Sequence, residues 1–278
     1  MTASNWRAAF KGASTGFFFS LTVCVSCGAP LVFANTNFIS INDSNNPPTV
    51  ATPYPDTNLV AGLAGQVVTK ATVTLQGFSH TYPSDVSVLL VGPGGQRAIL
   101  MSAVGGTAKY SVTNLTLTFD DDATGALPVY GQLTSGTFRP TNGWLTFGDT
   151  NLPYDFPVPA PPGNSNSPSA LAVFRNTDPT GTWKLFILDN NAGDAGSIAN
   201  GWSLNLTVAP PLHITRSQTN VIISWPASAT NCTLQVAPGF TGSIIWTNVA
   251  ATFGTNSGFI WLTNPASGGN KFYRLIGN

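Results

Sequence analysis

The sequence contains no glutamate; all of its acidic residues are aspartates. Glutamate suits helix interiors, whereas aspartate competes for backbone groups and favours caps and turns. Charge of either sign is scarce, at 8 % of residues with a formal net charge of zero. A chain this poor in basic side chains offers no footprint for nucleic acid and no polybasic segment for anionic lipid. Histidine occurs only at positions 80 and 213. Cysteine occurs at 24, 27 and 232, the first two inside an apolar N-terminal segment. Cys232 therefore stands alone in the remainder, where no internal disulfide can form. It sits in a strand-like run with Leu234 and Val236 and reads as a small buried hydrophobe.

What is abundant points one way. With 28 Gly, 21 Pro and many Thr, Asn and Ser, the composition predicts an all-β chain rich in turns. Residues 1–34 differ from the rest. Arg7 and Lys11 form a positive start, residues 16–33 are apolar with few polar breaks, and Val32-Phe33-Ala34 ends on a small residue. This pattern predicts a cleaved secretory signal and hence export, with no membrane attachment after cleavage. Ser20, Ser26, Gly28 and Pro30 interrupt the run and argue against a spanning helix. Ser26-Cys27 matches a lipoprotein site only in part, because Cys24 stands where leucine is expected.

Ala209-Pro210-Pro211 marks the boundary between a large segment, 35–208, and a compact tail, 209–278. In the large segment Ala71, Val73 and Leu75 alternate with polar residues, as do Leu115, Leu117 and Phe119. Such alternation predicts strands with one buried face. Residues 86–91 are mostly apolar and predict a central strand covered on both sides. Turns are explicit at Pro93-Gly94-Gly95, Gly105-Gly106 and Asn142-Gly143. The proline-dense stretch 151–168 predicts a surface loop. The tail predicts strands at 212–215, 221–225, 232–236, 243–246, 259–263 and 271–275, with Trp225, Trp246, Trp261 and Tyr273 as its core. It is similar to small immunoglobulin- or fibronectin-like modules at the ends of large secreted bacterial proteins, which finish near the Phe272-Tyr273-Arg274-Leu275 run seen here.

The densest pattern lies at 178–208. Residues 183–188 are apolar on both faces, and Trp202, Leu204, Leu206 and Val208 alternate with polar partners. Between them runs Asp189-Asn190-Asn191-Ala192-Gly193-Asp194. Upstream stand Ser79-His80-Thr81-Tyr82, Asp85-Val86, and a strand ending Gly92-Pro93-Gly94-Gly95. Followed by Gly181-Thr182-Trp183, Asp189, Gly196 and Trp202 in that order, this series resembles the P domain (Homo B domain) of subtilisin/kexin-like proprotein convertases. The resemblance covers roughly residues 39–208, with His80, Tyr82, Asp85, Gly181, Trp183, Asp189, Gly196 and Trp202 as its motif positions. It implies a jelly-roll β-barrel, of galactose-binding-like type, that packs beside a subtilisin-like catalytic domain and stabilises it. The catalytic motifs of that family (D-[ST]-G, H-G-T and G-T-S-x-[AS]) do not occur. The resemblance therefore implies no protease activity for this chain.

The remaining candidate chemistry is sparse. His80 with Asp85 could form a dyad, but Ser79 and Ser84 lie in no nucleophile elbow. The competing reading makes His80 and Tyr82 a packed bend and Asp85 a cap on backbone donors. Asp120, Asp121 and Asp122 form one acidic cluster, and Asp189, Asn191 and Asp194 another. Calcium takes six to eight oxygen ligands of such kinds; solvated turns are the alternative at both loops. Tyr54, Tyr82, Tyr130, Trp144 and Tyr154 are loop aromatics that could stack on a glycan. The sequence thus predicts an exported, non-catalytic protein: a P-domain-like barrel followed by a small β-sandwich. Its expected role is to bind or stabilise an extracellular protein, a subtilisin-like endopeptidase acting in trans being one such partner. The rivals are a calcium-dependent carbohydrate-binding module and a hydrolase with an unrecognised site.

Overall fold

The computed structural model describes residues 20–21, 30–106, 110–146, 155–162, 167–229, 232–238, 245–256, 258–266 and 271–277. Strands make up 51 % of it and no helix reaches seven residues, so the fold is all-β. The strands are β1 Ser20–Leu21, β2 Leu31–Asn35, β3 Ile39–Ile41, β4 Thr49–Val50, β5 Asp56–Val60, β6 Val67–His80 and β7 Val86–Val91. They continue with β8 Arg97–Ser102, β9 Val112–Phe119, β10 Gly136–Phe138, β11 Thr141–Asn142, β12 Gly181–Asp189, β13 Gly196–Ile198 and β14 Trp202–Ala209. The last are β15 His213–Ser217, β16 Asn220–Pro226, β17 Cys232–Ala237, β18 Thr247–Asn248, β19 Gly254–Thr255, β20 Phe259–Pro265 and β21 Phe272–Gly277. Among the described residues no helix is long and apolar enough to cross a membrane.

The chain divides into two compact units. The larger comprises Pro30–Ala64 and Lys70–Leu206; the smaller takes in Gly65–Thr69, β1 and the chain from Thr207 onward. The segment expected to be removed on export contributes β1, which pairs with β21, and most of β2, which pairs with β14.

Two sheets build the larger unit. One has the order β10-β9-β6-β13-β3, with β14 joined to β6 and β2 to β14; the other has the order β11-β8-β7-β12-β4, with β5 also on β12. Every residue of β7 is buried, as the sequence predicts for a strand covered twice. Its outward side chains Leu89 and Val91 join Ile99, Phe186 and Leu188 in a cluster capped by Phe156 and Ala160. The described part of the proline-rich stretch is therefore more than a surface loop: it inserts two buried side chains over one sheet face.

The sheets do not close into a barrel among the described residues, in contrast to the expected jelly-roll barrel. β2 and β5, one from each sheet, run side by side. They are joined there through side-chain amides: Asn35 Nδ2 donates to Thr57 O at 3.0 Å and Asn58 Nδ2 donates to Phe33 O at 3.2 Å. Amide side chains thus bond the two strands where the sheets meet.

The smaller unit also has two sheets, β15-β16-β20-β19 and β1-β21-β17-β18. Its core consists of Leu212, Val221, Ile223, Trp225, Leu234, Leu262, Tyr273 and Leu275. Cys232 is half-buried and packs against this cluster. Trp225 and Tyr273 are thus core, as expected, but Trp261 is not: it is 38 % exposed. Along β20 the buried position belongs to Leu262, and alternation turns Trp261 to the opposite face. Trp246 is half-buried with the Arg274 guanidinium 4.3 Å from its ring. Of the strand expected at 243–246, residues 243–244 lie outside the described residues, and pairing begins at Thr247.

Candidate functional site

The ends of β6, β12 and β13 bring the motif residues together. In register, β13 pairs with β6 so that Gly196 lies opposite His80. A Cβ at position 196 would run into Ser79 O and the His80 ring, so only glycine allows the imidazole to lie there. His80 Nε2 lies 3.2 Å from Asp189 Oδ2, and both side chains are fully buried. The Tyr82 backbone N–H donates to His80 Nδ1 at 3.1 Å. Nδ1 is therefore an acceptor, which places the ring proton on Nε2, donated to Asp189. Both ring nitrogens are engaged by the fold itself. A general base needs a lone pair within reach of a substrate proton, and this imidazole presents none.

Among the described residues, no serine is bonded to this histidine. Ser79 Oγ accepts the Asn114 N–H at 2.8 Å. The buried hydroxyls of Ser87 and Ser102 lie 2.7 Å apart, and Ser87 accepts from Asn190 Nδ2 at 2.8 Å. Tyr82 contributes its backbone N–H to the bend, as the bend reading anticipates. Asp85 departs from that reading: Asn191 Nδ2 donates to its carboxylate, at 2.8 Å.

The acidic tip at 189–195 is held by internal donors. Asp189 Oδ1 accepts the Asn191 N–H at 3.2 Å, and Asp194 Oδ1 accepts the Thr81 hydroxyl at 2.7 Å. Asp43 accepts the Gly193 N–H at 3.0 Å. Asp85 is buried among these groups, and loss of water, then the charges of Asp189 and Asp194, hold its carboxyl above the usual range; Asn191 and His80 pull the other way. A raised folded-state pKa means that the protonated form favours the fold. The stabilisation is full below the unfolded value, about 3.9, and is lost as pH rises through the folded value. Asp85→Asn keeps an acceptor for Asn191 and removes the titration. Its Tm should therefore change less than that of the native protein between about pH 4 and pH 7, and should match or exceed it at pH 7. Melting curves at a series of pH values check this; parallel pH profiles would refute it.

At 120–122 the chain also supplies the partners that adjacent carboxylates require. Lys70 Nζ lies 2.9 Å from Asp120 and 2.8 Å from Asp122. Asp121 accepts the Leu171 and Ala172 N–H groups at 2.8 and 2.7 Å, capping the 3-10 turn Leu171–Phe174. Sequence distance hides both arrangements, since the partners lie about fifty residues away. Among the described residues, no three His, Cys, Asp or Glu side chains group so as to hold a metal ion.

The other motif residues lie elsewhere in the unit. Gly181 has φ +131°, and a Cβ there would meet Pro93 of the Gly-Pro-Gly-Gly turn. Trp183 is buried, donates from Nε1 to Pro179 O at 2.9 Å, and packs on Phe174 with ring centroids 4.8 Å apart. An open depression of about 470 Å³ near this turn is lined by Gly92, Pro93, Gly95, Thr180, Gly181 and Lys184 among others, and among the described residues no acid or histidine borders it. Trp202 donates from Nε1 to Asp56 Oδ1 at 2.9 Å, a bond between the two sheets that the sequence does not reveal.

The loop aromatics are dispersed. Tyr54 is turned inward, its hydroxyl donating to Pro157 O at 3.0 Å and its ring edge-on to Phe186. Burial raises its phenol well above the ordinary value. Tyr82 and Trp144 are half-buried and Tyr130 is 66 % exposed. Tyr154 lies outside the described residues.

No family model and no curated protein matches the chain. Among solved structures it matches a chain in the complex of Aeromonas sobria serine protease with the chaperone ORF2, at 13 % identity and a TM-score of 0.29. That match covers 66 % of this chain and 28 % of the other. At that TM-score the likeness carries no argument about fold or function.

Proposed function

We propose that this is an exported, non-catalytic β protein whose larger unit binds and stabilises a folded extracellular protein. One observation carries the non-catalytic part. The single histidine–carboxylate pair described in this unit is sealed from solvent, with both imidazole nitrogens committed to the fold. Such a pair joins two sheets and has no free group for acid–base chemistry. The partner class comes from the resemblance of residues 39–208 to a P domain, which points to a subtilisin-type endopeptidase acting in trans. Phe38 and Leu59, 59 % and 69 % exposed, supply apolar side chains that such a partner can cover.

The test uses the full chain and a subtilisin-type endopeptidase secreted by the same organism. Adding the chain is expected to lengthen the protease's half-life at elevated temperature several-fold, as a ligand specific for the native state does. Phe38→Asp with Leu59→Asp should remove that protection while leaving the chain's own melting curve in place. An unchanged half-life, together with separate elution of the two proteins on gel filtration, sinks the proposal.

A further inference from the structure

The exposed face of the β15-β16-β20-β19 sheet carries an arrangement that the protein-partner reading does not use. Register places His213, Ser224, Trp261 and Gly254 in one row across the four strands. A Cβ on Gly254 would run into Cε2, Cζ2 and Cδ2 of the Trp261 indole. Those three atoms surround the fused bond of the ring system, so the indole lies flat over the glycine. One ring face covers backbone and the other is turned to water, leaving Trp261 38 % exposed. Phe259 follows on the same side of β20, two residues and so about 7 Å away, and is 43 % exposed. The His213 ring stands edge-on to Phe259 at 6.4 Å.

Around these rings the face offers hydroxyls and no charge. Ser224, Thr215 and Thr263 share it by register, with Ile222 between the two threonines and Pro226 beside Phe259; Thr215 and Thr263 are exposed. The cations from Thr207 onward lie off the face. Arg216 alternates away from His213 and Thr215 on β15, and Lys271 and Arg274 belong to the other sheet's end of the sequence. From Thr207 onward the sequence has no aspartate or glutamate. Phosphate-bearing ligands would find no counter-charge on the face, which argues against nucleic acid even though bases stack on aromatics. Ile222 and Pro226 add apolar area beside the rings, but Ser224, Thr215 and Thr263 interrupt it with hydroxyls, so no continuous apolar surface is offered to a protein. The match is to a ligand with flat apolar C–H faces, hydroxyls around its rim and no charge.

We propose that this face binds a neutral polysaccharide, with successive pyranose rings stacked on Trp261 and Phe259 and their hydroxyls bonded to His213, Ser224 and Thr263. The experiment uses the full chain in depletion assays on microcrystalline cellulose and in affinity electrophoresis on soluble xylan, with polygalacturonate and duplex DNA as charged arms. The native protein should bind at least one neutral polymer, and Trp261→Ala should weaken that binding about tenfold or more. Ser224→Arg, which leaves Trp261 in place over Gly254, should weaken it comparably while its melting temperature stays near the native value. Binding to neither neutral polymer overturns the proposal, as does retention on polygalacturonate or DNA alone. Native-like binding by Ser224→Arg overturns it as well, whatever Trp261→Ala does to folding. No protease enters this assay, so its failure leaves the partner reading untouched.

Discussion

Trp202→Ala is expected to destabilise the larger unit by about 3–5 kcal/mol, the range for removing a buried tryptophan. The residue is 1 % exposed and its Nε1 donates to Asp56, itself 3 % exposed. Truncation opens a cavity and also strips a donor from a buried carboxylate. Asn35 Nδ2, at 2.6 Å, is then left as the donor to the same oxygen. Losing a partner at a buried polar group adds about 1–3 kcal/mol. Since domains are stable by only about 5–15 kcal/mol, this one change should bring the unit close to unfolding at ambient temperature. Trp202→Phe separates the two contributions, because it keeps most of the ring and removes only the donor. Guanidinium unfolding of both variants checks the prediction. A phenylalanine variant as stable as the native protein would show that the bond to Asp56 contributes nothing, and an alanine variant within about 1 kcal/mol would deny Trp202 its place in the core.

His80→Ala should cost roughly 2–5 kcal/mol, from the vacated imidazole volume and the lost donor to Asp189. Asp189 is fully buried and would keep only the Asn191 N–H. The Tyr82 N–H would lose its acceptor at the same time. If the pair is a pin between sheets, replacing both members by leucine should recover much of the loss, because two apolar groups leave neither partner unsatisfied. The measurement is a double-mutant cycle on unfolding free energies. Additive effects of the two leucine substitutions would contradict the pin.

Much of the larger unit is legible in the chain. Alternation at 71–75 and 115–119 appears as β6 and β9, and the mostly apolar run at 86–91 appears as the doubly covered β7. Such patterns are local: they depend on which side of a pleat each residue occupies. The tail shows where local reading fails. Trp261 reads as core by residue type, yet its neighbour Leu262 holds the buried position and leaves the indole on the surface. The candidate site depends in the same way on distant partners. His80 and Asp85 stand close in sequence, but His80 pairs with Asp189, 109 positions away, through a glycine that only strand register brings opposite it. The aspartates at 120–122 have Lys70 and two backbone amides as partners, which no spacing rule points to.

By itself, the sequence determined the all-β class, because aspartate without glutamate, frequent glycine and proline, and period-two alternation all disfavour helices through local energetics. It also determined that no subtilase motif is present, since the presence of a motif is a property of the string. Tertiary structure decided what the few polar side chains do inside the protein. A buried histidine, carboxylate or amide must find a partner wherever the fold places one, and that partner is set by register and sheet packing over separations that local pattern cannot encode. It also decided which aromatic rings are core and which are surface. A tryptophan is hydrophobic in either setting, and only the neighbouring strands determine which of its faces meets water.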